Sequence, residues 1–154
     1  MNIQKQLDDY HRYHQNKINL AIHIIGIPMI VFSLIIASSW PSICFQPYFK
    51  VPLSVPLIIA LTTFYAYYNR NVALISLIGF VPMAAIGIIM SHKFLKIALL
   101  TALTLFILGW ILQLIGHWIE KKKPAFSDNI LHLLIGPLFI VIELQNIFSK
   151  KNKF

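Results

Sequence analysis

Five apolar runs, at residues 20–39, 52–68, 72–91, 95–118 and 129–148, take up most of the chain and decide what it can fold into. A helix needs about 20 predominantly apolar residues to cross the hydrocarbon core of a bilayer. The first, third and fourth runs meet that length. The second, "VPLSVPLIIALTTFYAYY", is shorter and carries its prolines at its start, where a helix tolerates them. Only Asn69, Arg70 and Asn71 separate it from the third, so the two must form an antiparallel helical hairpin. The fifth, "NILHLLIGPLFIVIELQNIF", is interrupted by Gly136 and Pro137 and holds His132 and Glu143. Polar, broken segments of this kind enter and return, or lie against the protein. The expected fold is all-α: a polytopic transmembrane helical bundle of four spanning helices plus a broken re-entrant or interfacial C-terminal segment. Residues 1–154 are expected to form a single integral membrane domain.

The charges agree with that class. Only 12% of the residues are charged and 58% are hydrophobic, against about 25% charged in soluble domains. The net charge of +8 comes from Lys and Arg placed between the apolar runs and at the C-terminus. That placement suits anionic headgroups and the setting of topology, and points away from nucleic acid. With the N-terminus cytoplasmic and four spans, Lys5, Arg12, Lys17, Arg70, Lys121, Lys122 and Lys123 fall inside, and Lys50, Lys93 and Lys96 outside. If the fifth run does not cross, Lys150, Lys151 and Lys153 also fall inside, which is why a non-crossing last segment is expected. No secretory signal is expected, because the first apolar stretch begins at Ile18 with no small-residue cleavage site after it. The single Cys44 rules out an intrachain disulfide. The Ile/Lys/Asn-rich composition points to a bacterial inner membrane, with the endoplasmic reticulum as the alternative.

This topology gathers histidines. His11, His14 and His23 sit at the entry to the first span, His117 at the exit of the fourth, and His132 opens the next segment. His92 falls at the opposite face and is set aside. Ionisable groups in apolar membrane segments are costly and usually functional, and neutral imidazole is the commonest metal ligand. Gln113 and His117 are four residues apart and His117 and Glu120 three, so on a helix they share a face. Gly116 lets another backbone or a ligand come close. His14 and His23 are nine apart, about half a turn out of phase at about 3.6 residues per turn. Either the chain bends between His14 and Asn19, or only one of the two is a ligand.

Plainer roles compete. His11 suits a polar, amphipathic N-terminal segment. Glu120 can pair with Lys17 or with the lysines that follow it, or else support the site. Asn19 and Gln113 can be hydrogen-bond glue between helices. Glu143 has no nearby positive residue, and shares a face with His132 only if the helix continues through Pro137.

The stretches "YHRYHQNKINLAIHIIGIP" and "QLIGHWIEKKKPAFSDNILHLLIGPLF" together resemble the membrane family of 2-hydroxy fatty acid dioxygenases, the fungal-type enzymes of phytosphingosine breakdown and their bacterial relatives. The resemblance falls on Tyr10, His14, Asn19, His23, Gly26 and Pro28. It continues on Gln113, Gly116, His117, Glu120, Pro124 and Ala125, and ends on Gly136, Pro137 and Phe139. It departs from the family pattern in leaving two residues between His117 and Glu120 where the pattern has three. The resemblance implies an Fe(II)-dependent dioxygenase that shortens a 2-hydroxy fatty acid by one carbon with O2 (fatty acid α-oxidation). On this reading His14, His23, His117 and His132 hold the iron, while Glu120, Asn19 and Gln113 orient the ligands. The 2-hydroxy acid would chelate through hydroxyl and carboxylate, with its chain among the apolar helices and Lys17 and Lys121 to Lys123 attracting the carboxylate. The rivals are a b-type haem protein with His23 and His117 as axial ligands, a di-iron lipid hydroxylase, which would want many more histidines, and a non-enzymatic membrane protein.

Overall fold

The computed structural model describes residues 3–45 and 49–151, with side chains over 4–45 and 49–147. Lys153, counted above among the cytoplasmic charges, lies outside the described residues. The order of elements is α1 (Ile3–Arg12), α2 (Lys17–Ser39), β1 (Ser42–Phe45), β2 (Phe49–Pro52), α3 (Ser54–Tyr68), α4 (Arg70–Lys93), α5 (Leu95–Glu120), a 3-10 turn (Ala125–Ser127) and α6 (His132–Lys151). Three helices, α2, α4 and α5, are long and apolar enough to cross a membrane. Their outward residues, such as Ile78 (74% exposed) and Leu100 (65%), are tolerable only against lipid. The second run makes α3 of 15 residues, about 22 Å long at about 1.5 Å per residue. That is short of the hydrocarbon thickness.

Two expectations need correcting. The chain is mostly helical but not purely so, because β1 and β2 pair antiparallel, Ser42 opposite Pro52 and Phe45 opposite Phe49. The expected break at Gly136-Pro137 is also absent, and α6 runs through it as one helix. Its first turn is tightened by His132, Leu133 and Leu134 donating to the carbonyls three residues back. Pro137 comes just after that turn and removes one further donor, a loss the helix absorbs. His132 and Glu143 therefore do lie on one continuous helix.

The chain divides into two compact units, residues 1–28 with 109–154, and residues 29–108; α2 and α5 each contribute to both. In the second unit a core of Ile36, Ala98 and Ala102 is flanked by Phe32, Met90 and Leu105. There α3 packs against α4, turning on Asn69. The Asn69 N–H closes α3 on the Tyr65 carbonyl, and its side chain caps α4 by accepting from the N–H groups of Asn71 and Val72. In the first unit α1 packs against α6. Tyr10 is buried there against Phe139, with ring centroids 4.9 Å apart. Gly136 makes room, since a Cβ on it would stand 3.2 Å from the Tyr10 hydroxyl.

Candidate metal centre

The non-helical residues 13–16 form the bend that the phase of His14 and His23 requires. α1 stops at Arg12 and α2 begins at Lys17. What holds the bend comes from far along the chain. The backbone N–H groups of Gln15 (3.2 Å) and Asn16 (2.8 Å) donate to the Glu120 carboxylate, and Asn19 Nδ2 donates to it at 3.2 Å. Lys122 Nζ stands 3.5 Å from the same group. Glu120 thus ties the entry of α2 to the exit of α5. Its side chain is only 5% exposed, so hydrogen bonds to it are of the stronger, charge-assisted kind.

With the chain bent, His14, His23 and His117 come together. One ring nitrogen of each lies within 4.8 Å of the other two, and all three residues are buried. His14 Nδ1 is 2.8 Å from the Tyr10 carbonyl and His23 Nδ1 is 2.9 Å from the Asn19 carbonyl. A carbonyl only accepts, so both Nδ1 atoms carry the proton and both Nε2 atoms are left as lone pairs. His14 Nε2 and His117 Nδ1 are buried without a partner. Burial lowers the His14 pKa to about 4, which keeps its ring in the neutral form that binds metal. Tyr10 stacks on that ring at 4.2 Å, and burial pushes its phenol pKa well up.

His23 Nε2 and His117 Nε2 are 3.3 Å apart. At about 2.1 Å per bond, two imidazole nitrogens on one ion are roughly 3–3.5 Å apart at adjacent positions and about 4 Å apart at opposite ones. The separation suits neighbours in one coordination shell. It is too short for two axial ligands with a haem between them. The donor set is imidazole alone, without thiolate, which suits iron among other first-row metals.

The close approach of the helices depends on Gly116. A Cβ there would run into Asn19 Oδ1 and stand 2.9 Å from the His23 ring. Gln113, one turn earlier on α5, covers Gly26 in the same manner, and a Cβ on Gly26 would strike its Nε2. Asn19 Oδ1 and Gln113 Nε2 are buried and unpartnered. Asn19 and Glu120 therefore back the cluster, and Gln113 borders it through Gly26.

His132, expected as a fourth ligand, is not in the three-histidine group. Its Nδ1 is 2.8 Å from the Ala125 carbonyl, which holds the ring at the start of α6. Its ring stands edge-on to Tyr10, 5.9 Å between centroids. It remains a neighbour, buried, with its Nε2 unpartnered. His11 is exposed on α1 and His92 belongs to α4 of the other unit.

Several features had no sequence signal. Lys122 Nζ donates to the Arg12 carbonyl at 2.6 Å. Asp128 accepts from Tyr13 and Lys123, contacts that hold its carboxyl below the usual range. Asn129 Nδ2 donates to Gln6 at 2.8 Å. Together these pin the 121–131 loop over the bend. α5 ends with Lys121 at φ 57°, the Lys121 N–H reaching the Trp118 carbonyl and the Lys122 N–H the His117 carbonyl. That is the Schellman arrangement, whose left-handed position favours glycine, and a side chain there costs roughly 1–2 kcal/mol.

The family model described as 2-hydroxy-palmitic acid dioxygenase Mpo1-like matches residues 1–147. The chain belongs to this family. It is similar to the 2-hydroxy-palmitic acid dioxygenase MPO1 of Saccharomyces cerevisiae (strain ATCC 204508 / S288c), 29% identical over 146 residues that cover 93% of this chain and 79% of that protein. No solved structure matches the chain.

Proposed function

We propose that this Mpo1-like protein is an Fe(II)-dependent dioxygenase that shortens 2-hydroxy fatty acids by one carbon. The observation that carries the reading is the buried trio His14, His23 and His117, with His14 Nε2 and His117 Nδ1 unpartnered, in a chain similar to a 2-hydroxy-palmitic acid dioxygenase. Balanced, a 2-hydroxy acid and O2 give the acid one carbon shorter, CO2 and water. The substrate supplies all four electrons that O2 accepts, so no external reductant enters.

His14, His23 and His117 would hold the iron, with the nearby His132 a candidate fourth ligand. When bound, the iron supplies a site where O2 and the chelating 2-hydroxy acid can react side by side. The residues of the chain do the rest. The Tyr10 and Asn19 carbonyls hold two imidazoles in the lone-pair tautomer, and Glu120 and Asn19 keep the bend closed. Gln113 and Gly116 set the spacing of α2 and α5. The apolar helices exclude water and take the alkyl chain.

The charge distribution supports a cytoplasmic N-terminus, four crossings with α3 as the second, and an α6 that, being unbroken, lies at the interface; the Ile/Lys/Asn-rich composition supports a bacterial inner membrane. The test is elemental analysis of anaerobically purified protein, then O2 uptake with 2-hydroxypalmitate. We expect stoichiometric iron, with O2 consumed one for one against the shortened acid. Protein free of transition metal, or inert toward 2-hydroxy acids when loaded with iron, would overturn the reading.

A further inference from the structure

Beside the histidine cluster, the outer surface of α5 carries a groove of about 610 Å³ that has His117 in its wall. Leu114 (55% exposed) and Trp118 (80%) give it an apolar floor, and Lys121 and Lys122 stand at its polar end. The three consecutive lysines are not equivalent. Lys122 is held by the Arg12 carbonyl and Glu120, and Lys123 by Asp128. Lys121 is exposed, and no hydrogen bond or ion pair engages its side chain among the described residues. It also occupies the left-handed position that a glycine would fill without strain.

We propose that Lys121 receives the carboxylate of a long-chain acid that enters from the lipid side along α5, an inference that rests on the fatty-acid reading above. The acid lays its chain over Leu114 and Trp118. Its carboxyl end reaches the ammonium group at the membrane interface, where a Lys stem lies along apolar surface and its head stays wet. This is an entry position: the groove has His117 in its wall, and from Lys121 the carboxyl end passes on to the histidine cluster, where hydroxyl and carboxylate would chelate. Lys121 is thus a specificity residue for the acid headgroup, and the two lysines that follow it are structural.

The test uses full-length protein in nanodiscs. Lys121→Gly removes the cation and relieves the backbone, so it is expected to keep its iron and to denature no earlier than wild type. Its KM for 2-hydroxypalmitate is expected to rise about fivefold, the size of a favourable exposed ion pair, with kcat nearly unchanged. The affinity for the neutral 2-hydroxy amide, read by its competition with a bound fatty acid and not by turnover, should not move, and Lys121→Arg should behave like wild type toward both. Quenching of Trp118 by a brominated fatty acid, with Trp118→Phe as control, reads binding without turnover and should weaken by the same factor in Lys121→Gly. Unchanged quenching together with an unchanged acid-to-amide preference would overturn the role of Lys121 and leave the dioxygenase reading standing. A wild-type protein that binds the acid through Lys121 yet consumes no O2 would do the reverse.

Discussion

In the unit of residues 29–108, the buried polar side chains are serines at home in helices. Ser33, Ser39 and Ser76 donate to carbonyls of the preceding turn, Ser39 also meets Ser54 at 2.8 Å, and Ser91 donates to the Ile36 carbonyl. In the unit of residues 1–28 and 109–154, the buried polar groups are His14, Asn19, His23, Gln113, His117 and His132, and five of the six keep an unpartnered atom. An unsatisfied polar atom in an apolar interior costs about 1–3 kcal/mol. Among the described residues the unit of residues 29–108 thus pairs the polar groups of its buried serines within its own helices and leaves only the Thr62 hydroxyl unpartnered, while the other holds most of its buried polar groups open. The difference teaches that the second arrangement is made for something that completes it, while the first serves packing.

The sharpest way to break this contrast is to remove polar groups from both units. His14→Ala, His23→Ala and His117→Ala are each expected to lose most of the iron, with activity falling more than the roughly 10–100-fold typical of a supporting residue. Ser91→Ala should keep full iron and lose about 1 kcal/mol of stability, the worth of one neutral hydrogen bond. Metal content and O2 uptake measured together decide it. If Ser91→Ala is the variant that loses iron, the division of labour is wrong. His132→Ala sharpens the same measurement, since retained iron makes the site a three-histidine one.

Glycines offer the next contrast. Gly116→Ala drives a methyl group into Asn19 and the His23 ring and should cost about 1–3 kcal/mol as overpacking, with weaker iron binding. Gly79→Ala in α4 meets nothing within 4 Å and should raise stability by up to about 1 kcal/mol through helix propensity. Thermal denaturation of both variants checks the pair, and equal shifts would remove Gly116 from the argument.

A smaller effect is expected at Glu120. Glu120→Gln loses the charge that accepts from Gln15, Asn16 and Asn19, so the bend loosens and iron affinity should fall about 10–100-fold. Iron in excess should restore metal content, which separates a support from a ligand. The smallest effect belongs to His11→Ala. That residue is exposed on α1, and its loss should leave iron unchanged and stability within about 0.5 kcal/mol. A dead, iron-free His11→Ala protein would mean that His11 and not His14 serves the site.

The amino-acid sequence by itself determined the helices of the membrane and the residue types of the site. Hydrophobic runs mark spans locally, so α2, α4 and α5 start and stop within a few residues of the apolar runs that announce them. Spacing along one helix is also local, which is why Gln113, Gly116, His117 and Glu120 were legible as one face. Tertiary structure alone decided what those residues meet. The bend at 13–16 depends on a carboxylate about a hundred positions away, and no periodicity in "HQNK" announces it. That bend brings His14 to His23 and His117, while His132, its Nδ1 on the Ala125 carbonyl and its Nε2 unpartnered, stands outside that group of three. α6 passes through Pro137, as α2 passes through Pro28 and α4 through Pro82, which no local rule for proline announces, and Lys121 reaches its left-handed position because the chain must turn there to lay the 121–131 loop over the bend. Local hydrophobicity writes the helices into the sequence. Hydrogen bonds between residues far apart in the chain decide which side chains share a site.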